Sequence, residues 1–204
     1  MQRRAFVGLL LGSVAASRSL AGAQQYEPLA AGVQAAMHAA VADIGAPQPR
    51  FASDAARTHW LAAMSERLAA RLGDQAERHD FLLRAYYEAQ RAGLDPQLVL
   101  GLIHVESAFR RYAISSAGAR GYMQVMPFWT RLLGDGDAGQ LFDTSINLRY
   151  GCTILRHYLD REAGVLFRAL GRYNGSLGRP EYPNAVLSAW KRWAYTPPPS
   201  PATR

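Results

Sequence analysis

Cysteine is nearly absent from this chain: Cys152 is the only one among 204 residues. No disulfide can close within one chain, and no thiol stands near the N-terminus to carry a lipid. Cys152 lies in an apolar helical pattern, Tyr150-Gly151-Cys152-Thr153-Ile154, and reads as a buried free thiol rather than a nucleophile. Long apolar runs are missing too, so no segment is expected to span a bilayer. There is no internal repeat and no convincing alternating strand, which argues against a β-rich fold. The histidines, His38, His59, His79, His104 and His157, show no close ligand spacing, so neither a metal nor a cofactor is expected. Asp135-Gly-Asp137 begins like a calcium loop, but Gly139 and Ile146 stand where its fifth and twelfth positions need oxygen ligands.

What is present starts with a leader. Arg3 and Arg4 precede a short apolar stretch, Ala5 to Ala16, and Ala21-Gly22-Ala23 offers a small-residue cleavage site. Residues 1–23 therefore read as a cleavable secretory signal, and the mature chain as periplasmic, unanchored and monomeric. The formal charge is +7; without the three leader arginines it is 20 − 16 = +4. A modest positive charge suits a polyanion, and export favours cell wall over nucleic acid.

Helical spacing dominates the rest. The pattern predicts helices at about 29–43, 53–72 with Ser53 or Asp54 as N-cap, 74–92 ending at Gly93, and one opened by Asp95-Pro96. Further helices are expected at 145–161, 163–172 and 184–194, with a small irregular hairpin around 110–123. Pro47 and Pro49 set off residues 24–75 as a short N-terminal helical appendage to a main domain, 76–195. Thr196 to Arg204, rich in proline, reads as a loose tail. The fold class is all-α. Trp129, Trp190 and Trp193 could stack on sugars, but core packing is expected for at least two of them. His104 reads as structural or solvated, and Arg110-Arg111 as a solvated face.

Glu106 carries the chemistry. It follows Ile103, Leu102 and Val99 by three, four and seven positions, so it shares their apolar helix face near the helix end. Burial raises a carboxyl pKa, and a carboxylic acid still protonated near neutral pH can donate to a leaving oxygen, as glycosidic cleavage requires. Downstream, Gly118, Ala119 and Gly121 permit close approach. Met123, Gln124 and Met126 set an amide between flexible apolar side chains, a mix able to line a sugar groove. The same stretch also reads as a tight glycine turn feeding an amphipathic helix.

Taken together, Glu106-Ser107, Ala113-x-Ser115 and Gly118-Ala119-x-Gly121-x-Met123-Gln124-x-Met126-Pro127 resemble the soluble lytic transglycosylase (SLT) family. Phe142-Asp143-x-x-x-Asn147-x-x-x-Gly151 and Arg172-Tyr173-Asn174-Gly175 resemble its later motifs, so the likeness covers about residues 80–190. The resemblance implies a goose-lysozyme-like helical domain acting on peptidoglycan glycan strands. It implies Glu106 as the catalytic acid/base and glycan contacts from Ser115, Gln124, Met126 and Tyr173, with Asn174 close by. The chain departs from the pattern in two places. Arg172 replaces a small residue, and Ala185 falls where a tyrosine is expected, with Tyr182 as a possible substitute. Two rivals stand beside this reading: a goose-type lysozyme with a second carboxylate from Asp135, Asp137 or Asp143, and a non-catalytic wall-binding or secretion-apparatus module.

Overall fold

A computed structural model describes residues 24–43 and 45–198. The expected leader, and the tail from residue 199 on, lie outside the described residues. Among those residues the protein is all-helical, and β-type pairing is confined to two isolated bridges, Ile114 with Arg120 and Arg120 with Val125. These bridges form the irregular hairpin.

The helices are α1 (Ala31–Ala42), α2 (Asp54–Leu68), α3 (Gln75–Arg91), α4 (Pro96–Glu106), α5 (Phe128–Leu133), α6 (Thr144–Arg161), α7 (Leu166–Asn174) and α8 (Glu181–Trp193); a 3₁₀ turn, Ala138–Phe142, precedes α6. Their starts follow from side chains that satisfy orphan amides. Ser53 accepts from Ala56 N, Asp74 from Glu77 N, Asp95 from Gln97 N and Asp143 from Ile146 N. The second helix stops at Leu68, short of the expected residue 72. The carbonyls of Leu72 and Gly73 turn instead to the Arg78 guanidinium, each at 2.7 Å.

Helix α4 is the central element. Leu98 to Ile103 are all buried, and α4 packs mainly against α8 and also against α3. A Cβ on Gly101 would lie 2.7 Å from Trp190 N, so glycine lets the two backbones meet. The core runs without a break from Met37 and Val41 of α1, through Trp60, Met64 and Leu68 of α2, to Trp129 and Trp193. Trp190 packs against its edge and donates to Asp95 Oδ2 at 3.2 Å. Cys152 is buried, and burial pushes its thiol well above its ordinary range. A buried carboxylate is paired as well: Glu88 holds the buried Arg149 at 2.9 Å, joining α3 to α6, and the partly exposed Arg91 at 3.0 Å. No described helix is long and apolar enough to cross a membrane.

Candidate active site

The C-terminal end of α4 delivers Glu106 into the interior with 5% of its surface exposed. Apolar side chains from the same face, Val99, Leu102 and Ile103, are fully buried. Loss of hydration pushes the Glu106 carboxyl up to about 8. One polar group opposes that push: the Tyr182 hydroxyl donates to Glu106 Oε1 at 2.5 Å. Tyr182, itself only 2% exposed, comes from the first turn of α8, which lies across α4. It stands three residues before Ala185, close to one turn earlier, and supplies a phenol at this carboxyl.

The chain leaves Glu106 under strain. Ala108 and Phe109 both have positive φ, 51° and 63°. Such geometry costs about 1–3 kcal/mol per non-glycine residue. Packing holds it in place: Phe109 is buried with its ring centroid 5.2 Å from Trp193 and 5.9 Å from Phe81. Ser107 donates to Ile103 O at 3.3 Å and so acts as a helix-end group. His104 is structural. Its Nδ1 accepts from Trp193 Nε1 at 3.3 Å, and burial together with Arg71 lowers its pKa.

Residues 110–127 form an irregular loop after α4, and helix resumes only at Phe128. The methionine segment is thus a turn, with Gln124 at φ 48°. Gln124 Nε2 donates to Ala113 O at 3.1 Å and Gly121 O at 2.9 Å, so this amide braces the turn from within. Ser115 Oγ accepts from Ala119 N at 3.1 Å and closes the hairpin tip. Arg110 and Arg111 are folded back rather than merely solvated, donating to Ser107 O at 3.0 Å and Phe142 O at 2.9 Å.

Asn147 of α6 locks the same loop. Its Oδ1 accepts from Met123 N at 2.8 Å, while Nδ2 donates to Arg120 O at 2.9 Å and Leu141 O at 2.8 Å. Gly121, at φ +76°, makes room for that clamp; a Cβ there would overlap the Asn147 amide and Leu141 O. Tyr173 is fully buried on α7 and donates to Met123 O at 2.7 Å. Burial raises its pKa well above the usual phenol range, and the nearby Glu106 carboxylate adds to the rise. Met126 is half-buried and Asn174 buried beside Tyr173.

The structure thus gathers Glu106, Tyr182 and Tyr173 in one interior corner, to which the Ser115–Met126 loop is joined through Met123 O and the Tyr173 hydroxyl. Tyr182 and Glu106 meet directly, whereas Ser115 and Gln124 spend their polar groups on the loop backbone. Two participants went unassigned in the sequence. Asn147 stood out only inside a resemblance, and Gln24 carried no local signal at all, because its partners Met126 and Trp129 lie more than a hundred residues away. Among the described residues no group of three or more His, Cys, Asp or Glu side chains could hold a metal.

Comparison with known proteins gives a consistent picture. A family model described as "Transglycosylase SLT domain" matches residues 85–185. Over 75 residues the chain is 41% identical to "Membrane-bound lytic murein transglycosylase C" of Actinobacillus pleuropneumoniae serotype 5b, covering 33% of this chain and 20% of that protein. Over 105 residues it is 35% identical to the Haemophilus influenzae (strain PittEE) protein of the same name, covering 44% and 29%. Over 83 residues it is 36% identical to "Transglycosylase" of Enterobacteria phage PRD1, covering 41% and 30%. The chain spans less than a third of the length of these relatives.

Proposed function

The chain belongs, through residues 85–185, to the transglycosylase SLT domain family, whose fold is lysozyme-like and helical, and on that premise we propose that it is a peptidoglycan lytic transglycosylase with Glu106 as its one acid/base. The observation that carries this reading is the Glu106 carboxyl, buried at the end of an apolar helix and held protonated up to about pH 8. A group in that state has a proton to give at neutral pH.

Glu106 donates its proton to the oxygen linking N-acetylmuramic acid to N-acetylglucosamine, and that C1–O bond breaks. The carboxylate left behind takes the proton of the muramic C6 hydroxyl, whose oxygen bonds to C1. A 1,6-anhydro ring closes, Glu106 is protonated again, and no water is consumed. The attack is intramolecular, so little orientational entropy is lost. Tyr182 points the carboxyl and steadies the transient carboxylate by its hydrogen bond. Met126, Tyr173 and Asn174 line the glycan path, while Ser115 and Gln124 shape it through the turn they brace.

Hydrolysis by a goose-type lysozyme would call for a second carboxylate across the cleft. The three candidates are occupied elsewhere. Asp135 accepts from Asp137 N and Gln140 Nε2, Asp137 from Gly139 N, and Asp143 caps α6. These bonds favour the single-carboxyl reading. The proposal extends to export: residues 1–23 act as a cleavable leader, and the mature protein, an N-terminal appendage (24–75) joined to the catalytic domain (76–195), works as a monomer in the periplasm. Mass spectrometry of digested sacculi tests the activity. Anhydro-muramic ends are expected; reducing ends would make it a hydrolase, and binding without cleavage would make it a wall-binding module.

A further inference from the structure

Gln24 lies in a segment without regular structure, residues 24–30, that precedes α1, yet only 4% of its surface is exposed. Its side-chain oxygen accepts two hydrogen bonds, from the Met126 backbone N–H at 3.2 Å and from the Trp129 indole Nε1 at 2.9 Å. Its Nε2 faces the Tyr173 phenol without reaching hydrogen-bond geometry and is left without a partner. The seat therefore answers the carbonyl half of the carboxamide and not its NH2 half. An N-acetylamino group offers the same carbonyl, with a methyl where Gln24 has its Cγ and one N–H in place of two. Two N–H donors flanked by a methionine and an indole suit that group well.

Other contacts tie the segment down. Tyr26 meets Phe128 edge-on, ring centroids 5.7 Å apart. Glu27 pairs with Arg161 and, at 3.3 Å, with Arg172, the residue just before Tyr173. Arg172 is held in turn by Glu162, and Leu29 packs against the core.

We propose that residues 24–30 are an intramolecular occupant of the glycan groove, with the Gln24 carboxamide filling a seat for a sugar acetamido carbonyl and Glu27 latching the segment to α6 and α7. The inference rests on the reading of Met126 and Tyr173 as glycan-path residues. Glycan binding then requires the segment to lift, and the observed affinity is reduced by the fraction of molecules in which it has lifted.

The test is calorimetric titration of the purified protein with tri-N-acetylchitotriose, beside kinetics on sacculi. Gln24→Ala removes both hydrogen bonds of the plug, so its Kd is expected to fall about five- to tenfold, with KM falling and kcat unchanged. Glu27→Gln, at a partly exposed latch, is expected to shift both the same way by less, and it carries the test alone should Gln24→Ala lose its helical circular dichroism. Unchanged or weaker binding, or a fall in kcat, would make Gln24 a brace and overturn the proposal. A wild-type protein that yields anhydro ends while Gln24→Ala binds no tighter sinks this inference only. A wild-type protein that leaves sacculi intact sinks the transglycosylase reading beneath it.

Discussion

Replacing Tyr182 by phenylalanine deletes one hydroxyl and keeps the ring that fills the space beside α4. The hydroxyl now donates to Glu106 at 2.5 Å and is the one cause that lowers this carboxyl against the burial that raises it. A hydrogen bond to a charged group contributes about 1.5–3 kcal/mol, and one pH unit corresponds to about 1.4 kcal/mol. Removing it disfavours the carboxylate, so the Glu106 pKa should climb further above 8, by about one to two pH units after those conversions. In a mechanism that begins with proton donation, the alkaline limb of kcat/KM should move up with it. The later step needs the carboxylate as base, and Tyr182 also aims the carboxyl, so kcat itself should fall, by roughly tenfold for a lost charge-assisted bond. The assay is turbidity loss of sacculi from pH 5 to 10, with circular dichroism as a control. An alkaline limb that stays put or moves down would refute the reasoning.

Two further outcomes follow from the same geometry. Glu106 binds its proton more tightly folded than unfolded, with a pKa of about 8 against 4.5, so its contribution to stability is complete below the unfolded value and fades as pH rises towards 8. Glu106→Gln should therefore match the wild type in unfolding free energy near pH 4 and exceed it above pH 8, by a margin on the order of a few kcal/mol; equal stability of the two proteins at both ends of that range would contradict a buried acid. Asn147→Ala removes three hydrogen bonds at once, those with Met123 N, Arg120 O and Leu141 O, and should cost about 3 kcal/mol in denaturant unfolding. A loss under 1 kcal/mol would mean that the loop is held by something else.

Much of the helical frame could be read from local chemistry. Asp95 before Pro96, Asp74, Ser53 and the spacing of Val99, Leu102, Ile103 and Glu106 each act within one or two turns, so adjacent residues disclose them. The corner around Glu106 is different in kind. Whether Tyr182 or a residue at position 185 reaches the carboxyl depends on the rotation of α8 against α4, and that rotation is set by the close approach at Gly101. Gln124 reads as a sugar-facing amide until its positive φ turns it into the loop. The α2 terminus misled for a similar reason, since Arg78 supplies the bonds that another helical turn would have made. Gln24 lay beyond reach, because its environment is built wholly from residues remote in the chain.

The central claim is that one protonated carboxyl cuts the glycan. Glu106→Gln keeps the shape and a hydrogen-bonding group for Tyr182 but has no proton to give. Sacculi digested with this variant should release neither anhydro-muramic nor reducing ends, while its circular dichroism matches the wild type. Release of anhydro ends at near wild-type rate would contradict the account.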